Sequence, residues 1–135
     1  EFCSLHMSKI QFGGSLNSVD EMLDCNLKQQ SFSYEQDCIT YCLDTLIAEG
    51  RFPIPTHIKI DVDGIEHKVI GGALEVLSNP NVKSLLVEVD PRIEQHKNMI
   101  GTLSDLGFCF SEKQVAKARR KEGPFIGVAE YIFRR

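Results

Sequence analysis

No CxxC pair, no apolar run long enough to cross a bilayer and no phosphate loop ending in Gly-Lys-Ser or Gly-Lys-Thr occur in these 135 residues. Each absence removes a class of function. The five cysteines, Cys3, Cys25, Cys38, Cys42 and Cys109, are odd in number and unclustered, so neither a disulfide framework nor a thiolate zinc site is expected. Cys38 and Cys42 are expected to share one face of a strand as small buried thiols. Charges interrupt the longest apolar runs, and no basic segment followed by an apolar core opens the chain. A soluble, cytoplasmic protein without a membrane partner is therefore expected. Without the phosphate loop, a nucleotide-binding domain that would use LLVEVD as a metal-holding acidic strand is excluded. A net charge of -4 argues against a nucleic-acid partner, and KARRK at 117–121 reads as a solvated loop before Gly123-Pro124.

What is present fits one globular domain, with 42% hydrophobic and 25% charged residues. No repeat or low-complexity segment is visible. The first 35 residues, with FGGSLNS and QQSFSYEQD, are polar and turn-rich, with a weak helical pattern over 19–27. Ile39, Thr40 and Tyr41 favour a strand over 38–43, after which Asp44 stands at an N-cap position and Gly50 closes a short helix. RFPIPT at 51–56 is a connection. A strand over 58–62 carries Ile58, Ile60 and Val62 and ends at Asp63-Gly64. The apolar period then changes, and Ile65, Val69, Ile70, Ala73, Leu74 and Leu77 predict one helix over 66–77. Gly71-Gly72 inside it should reflect close approach to the sheet. SLLVEV at 84–89 is an apolar strand of the kind covered on both faces, which makes a parallel βαβ unit the default. Ile93, Lys97, Ile100, Leu103 and Leu106 predict a helix stopped by Gly107, and FCF and FIGVAEYIF read as an antiparallel hairpin joined by the basic loop.

In open α/β sheets, ligands bind beyond the carboxyl ends of the strands. Asp61 and Asp63 lie at one such end, and Glu88 and Asp90 at the next. Four carboxylates would then converge on one edge. The plainer reading makes Asp63-Gly64 a turn, Glu66 a first-turn acid favoured by the helix dipole, and Glu88 and Asp90 water-facing. Lys59 and Asp61 on one face of a strand expected to be buried favour a site, because charges there need a reason. His57 and His67 flank the strand as alternative bases.

IKIDVDGIEHKVIGGALEVL closely resembles the signature of the FkbM-family S-adenosylmethionine-dependent methyltransferases, an apolar-Lys-apolar-Asp-Val-Glu-Gly-x-Glu strand and turn followed by a helix with Val-Leu and Gly-Ala. CLDTLIAEG is similar to the family's upstream Leu-Asp segment, and LLVEVD to its next strand, so the likeness spans roughly residues 38–90. Asp63 stands where the family usually has glutamate. The resemblance implies a Rossmann-like class I methyltransferase sheet in which 58–62 is the fourth strand and 84–89 the fifth. Residues 107–111 and 125–133 would form the terminal antiparallel pair.

The activity implied is methylation of a hydroxyl on a sugar or small natural product, with S-adenosylmethionine as cofactor. Asp61 would be the base or acceptor-orienting group, with Lys59 favouring its carboxylate form. Asp61, Val62, Asp63, Gly64 and Glu66 would face the cofactor, and Glu88 and Asp90 the substrate. A less favoured variant places a divalent cation on Asp61, Asp63 and Asp90. The family's glycine-rich donor loop has no counterpart: Gly13-Gly14 opens no apolar helix and Gly71-Gly72 lies inside one. Residues 1–135 are thus expected to be the C-terminal part of a methyltransferase domain, with the N-terminal half as missing partner. HIKIDV would then be an exposed edge prone to self-association. The alternative is a non-enzymatic α/β interaction module that pairs through that edge.

Overall fold

A computed structural model of the chain describes residues 2–10, 17–19, 22 and 28–135. They fall into two compact units, one of residues 1–41 and 62–65 and the other of 42–61 and 66–135. Gly13-Gly14, Cys25 and most of the predicted 19–27 helix lie outside the described residues.

The first unit holds a three-stranded antiparallel sheet in the order β2-β1-β3, formed by β1 (Phe2–Met7), β2 (Ser18–Val19) and β3 (Tyr34–Ile39). These strands correct two expectations. The amino-terminal segment is not merely turn-rich, and the strand placed at 38–43 ends at Ile39, with Cys42 flanking a helix instead of sharing a strand face with Cys38. The reason is pairing. Glu35, Gln36 and Asp37 have little strand preference of their own, yet each pairs across β1, and cross-strand partners override local propensity.

In the second unit, β4 (His57–Ile60) runs parallel to β5 (Ser84–Val89), and β6 (Ala129–Arg134) runs antiparallel to β5, giving the order β4-β5-β6. The expected βαβ relation between β4 and β5 is present. Val82, Leu85, Val87, Val89 and Phe133 are fully buried together with Leu77 and Leu103. The alternate residues Ser84, Leu86 and Glu88 are only half-buried. The near-continuous apolar run of β5 therefore covers one face, not two. Helical residues Ile70, Val76, Met99 and Val115 share the cluster of inward strand residues, leaving His57, Lys59, Glu130 and Arg134 exposed.

The predicted 66–77 helix is two helices, α2 (Glu66–Gly71) and α3 (Leu74–Ser78). The break follows from what Gly72 touches. A Cβ placed there would lie 3.2 Å from Cys42 Sγ, and the Gly72 carbonyl accepts the Asp44 N–H at 3.1 Å. Close approach is thus to the start of α1 (Leu43–Ala48) and not to the sheet. Asp44 does not cap its own helix: its carboxylate accepts from the N–H groups of Glu75 at 3.0 Å and Val76 at 2.8 Å. It satisfies amide donors that Ala73, the N-cap residue of α3, leaves without a side-chain partner.

α4 (Glu94–Asp105) ends before Gly107, which has a φ of 86°. The carboxy-terminal hairpin is reduced to one antiparallel bridge, Cys109 to Arg134. Where a basic loop was expected, α5 (Glu112–Ala118) intervenes, with Ser111 accepting from the Gln114 N–H. Among the described residues no helix is long and apolar enough to cross a membrane.

Replacing Asp44 with alanine should cost about 0.5–2 kcal/mol in urea unfolding, the range for a lost helix cap, and Asp44→Asn clearly less. An Asp44→Ala change without effect would mean that α3 does not depend on this cap.

Candidate functional site

The open face of the second sheet gathers charge at the carboxyl end of β4. Lys59 Nζ lies 3.1 Å from Asp61 Oδ2, with both side chains about half exposed. The parallel register pairs Lys59 with Leu86 and Ile60 with Val87, so Asp61 follows beside Glu88. Across β5, Glu88 pairs directly with Glu130 on β6. Like charges placed so are destabilising unless compensated. Arg120 supplies the compensation, its Nη2 reaching Glu88 Oε2 at 2.5 Å while its guanidinium lies over the Phe125 ring. The basic run is therefore anchored at Arg120 and is not simply a solvated loop.

Two shifts describe the electrostatics. Lys59 is raised above its ordinary value, first by its hydrogen bond to Asp61 and then by the field of Asp61, Glu130 and Glu88. Glu88 is also raised: its partial burial outweighs the attraction of Arg120, and Asp61 and Glu66 add repulsion. The cluster thus sets three acids, Asp61, Glu88 and Glu130, against two cations, Lys59 and Arg120.

After Asp61 the chain turns. Asp63 has a φ of 57° and Gly64 a φ of 109°. The first lies in the left-handed region that aspartate tolerates better than most residues, and the second is a conformation open essentially to glycine. The expected Asp63-Gly64 turn is present, and no other described non-glycine residue has a positive φ.

α2 begins at Glu66, whose side chain is wholly buried against a similarly buried His96 of α4. Glu66 Oε2 is 3.2 Å from His96 Nε2. The other ring nitrogen, Nδ1, accepts the backbone N–H of Asp90 at 3.1 Å. That bond fixes the tautomer, because an accepting Nδ1 leaves the proton on Nε2, where it donates to Glu66. One imidazole therefore ties the start of α2 to the end of β5. The Asp90 carboxylate takes the Arg92 guanidinium in a fork, Nε at 2.8 Å and Nη2 at 2.5 Å, and the Arg92 N–H at 2.9 Å. These bonds to Arg92, its side chain first, hold Asp90 below the usual carboxylate range.

The expected site residues separate into distinct surroundings. Lys59, Asp61 and Glu88 come together on the open face. Asp90 is engaged by Arg92, and the Glu66 carboxylate faces His96 rather than solvent. No group of three His, Cys, Asp or Glu side chains among the described residues is arranged to hold a metal ion. His57 bonds Ser84 Oγ at 2.8 Å at the amino end of β4, away from the acids. The His67 ring is 6.0 Å from that of His96. Sequence reasoning missed His96, Arg92 and Arg120. The turn DPR was a local signal for Arg92, whereas the partners of His96 and Arg120 lie about thirty residues away in sequence.

The model of the methyltransferase FkbM domain matches residues 5–110, most of the chain. The chain belongs to this family of methyltransferases, whose chemistry is methyl transfer from a donor to a small-molecule acceptor. No curated protein and no solved structure matches it.

Glu88 of β5 and Asp90 just beyond it predict opposite responses to pH. Stability from Asp90, with its lowered value, is present above the ordinary carboxylate range and is lost as pH falls through that lowered value. Glu88 is raised, so its ionised form costs stability at neutral pH. Glu88→Gln, which keeps an acceptor for Arg120, should stabilise the protein by up to about 1 kcal/mol at pH 7. The gain should vanish below about pH 4.5, where both side chains are neutral. Urea unfolding at pH 7 and pH 3.5 checks both, and a Glu88→Gln variant less stable at pH 7 would contradict the assignment.

Proposed function

We propose that this chain provides the acceptor side of an S-adenosylmethionine-dependent O-methyltransferase that acts on a hydroxyl of a sugar or small natural product. The observation that carries this reading is the Lys59–Asp61 ion pair at the carboxyl end of β4, beside Glu88. That end of a strand is where ligands bind in open α/β sheets. S-adenosylmethionine, when bound, supplies a methyl group made electrophilic by its sulfonium charge. The residues fit such a group by charge, since three carboxylates outnumber two cations here and favour a cationic ligand.

In this reading Asp61 accepts the proton of the acceptor hydroxyl, and Lys59 fixes its orientation through the ion pair. Asp61, Val62, Asp63 and Gly64 make the cofactor contacts. Glu66 acts indirectly, by fixing where the turn ends. Glu88 and Asp90, held by Arg120 and Arg92, accept hydrogen bonds from the substrate's other hydroxyls. The family likeness supports a Rossmann-like sheet and a cytoplasmic enzyme. A complementary segment carrying a glycine-rich loop would complete the domain of residues 1–135.

A second reading rests on a different observation. β4 has one hydrogen-bonded strand neighbour among the described residues, and an edge of this kind accepts a further strand. The chain would then be a non-enzymatic module that pairs with a partner or with itself.

The experiment is methyl transfer to a panel of sugar hydroxyls by the protein at its full natural length, wild type against Asp61→Asn. A fall in kcat of about 10²–10⁴-fold is expected, with donor affinity in calorimetry changed less than a few-fold. Unchanged kcat would remove Asp61 as base. Absence of donor binding together with concentration-dependent sedimentation would favour the edge-pairing module.

A further inference from the structure

Cys3 and Cys38 stand directly opposite each other on β1 and β3, and their Sγ atoms are 3.1 Å apart. Cys3 is 7% exposed and Cys38 is half-buried. Paired residues of antiparallel strands hold their Cα atoms about 4.5–5.5 Å apart, inside the roughly 4.4–6.8 Å that a disulfide spans. The sulfurs need to close by only about 1 Å to reach bonding distance, a movement within reach of side-chain rotation.

We propose that Cys3 and Cys38 form a reversible dithiol–disulfide site whose co-reactant is a low-molecular-weight disulfide such as glutathione disulfide. The Cys38 thiolate, the more accessible of the two, attacks one sulfur of glutathione disulfide. A mixed disulfide forms and one glutathione thiolate leaves. The Cys3 thiolate then attacks the Cys38 sulfur and expels the second glutathione. The protein loses two electrons and two protons, and the co-reactant gains them as two thiols. The second step is intramolecular between sulfurs already in contact, so it outruns accumulation of the adduct.

The bond would close a loop over residues 4–37 and tie β3 to its neighbour. Five of the six β3 residues are exposed, so little buried surface holds this strand, and a crosslink limits the unfolded chain instead. Cys42 and Cys109 are exposed thiols outside this pair and serve as internal controls.

The intact chain is equilibrated with reduced and oxidised glutathione, alkylated, digested with trypsin and mapped by tandem mass spectrometry. Cys38 and Cys42 fall on one tryptic peptide, residues 29–51, so fragmentation between them and a Cys42→Ser variant assign the sulfur. The expected product is a Cys3–Cys38 link two hydrogens lighter than the dithiol, reversed by dithiothreitol and retained in Cys42→Ser. Glutathione adducts at Cys38 should be at least about tenfold rarer. A stable adduct at Cys38, a link to Cys25, Cys42 or Cys109 in place of this one, or modification of Cys42 and Cys109 while Cys3 and Cys38 stay reduced would overturn the proposal.

Discussion

The buried pairing of Glu66 with His96 is the constraint on which the arrangement of the second unit depends. Two strand ends carry the acids of interest: one leads into a left-handed turn, the other into an Asp-Pro-Arg turn whose aspartate is buried. A neutral imidazole, accepting from the Asp90 N–H and donating to Glu66, ties the end of β5 to the start of α2. Burying a carboxylate is costly unless its hydrogen bonds are met. The pair is therefore useful only while all its members are present, which makes it a stringent device for positioning.

The charges on the open face form a compensated group. Glu88 and Glu130 would repel across the strand pair, and Arg120 reaches back from beyond α5 to relieve them. Lys59 answers Asp61. The balance remains acidic, with Asp61, Glu88 and Glu130 set against Lys59 and Arg120. The left-handed turn at Asp63 and Gly64 follows directly.

Much of this was legible in the sequence because it was written in local patterns. The apolar alternation at 58–62 and the run at 84–89 placed β4 and β5 to within a residue or two, and Asp63-Gly64 announced its turn. The periodicity of Ile93, Ile100 and Leu103 found α4. What escaped was set by distant partners. β3 is a mostly polar, exposed strand held by its pairing with β1. α2 and α3 are parted because Gly72 meets Cys42 and Asp44 caps α3 from another helix. The roles of Glu66 and Asp44 looked local, one at a first turn and one at an N-cap, yet both reach thirty residues along the chain.

The most direct test of this account is a double-mutant cycle between Glu66 and His96, measured by urea unfolding at pH 7. Each single change to alanine should cost about 3–5 kcal/mol, because it strands a buried polar partner. The double variant should cost less than the sum of the two by at least about 1 kcal/mol. Small single effects that simply add would show that the two residues do not act as one clamp, and the positioning of the end of β5 against the start of α2 would need another cause.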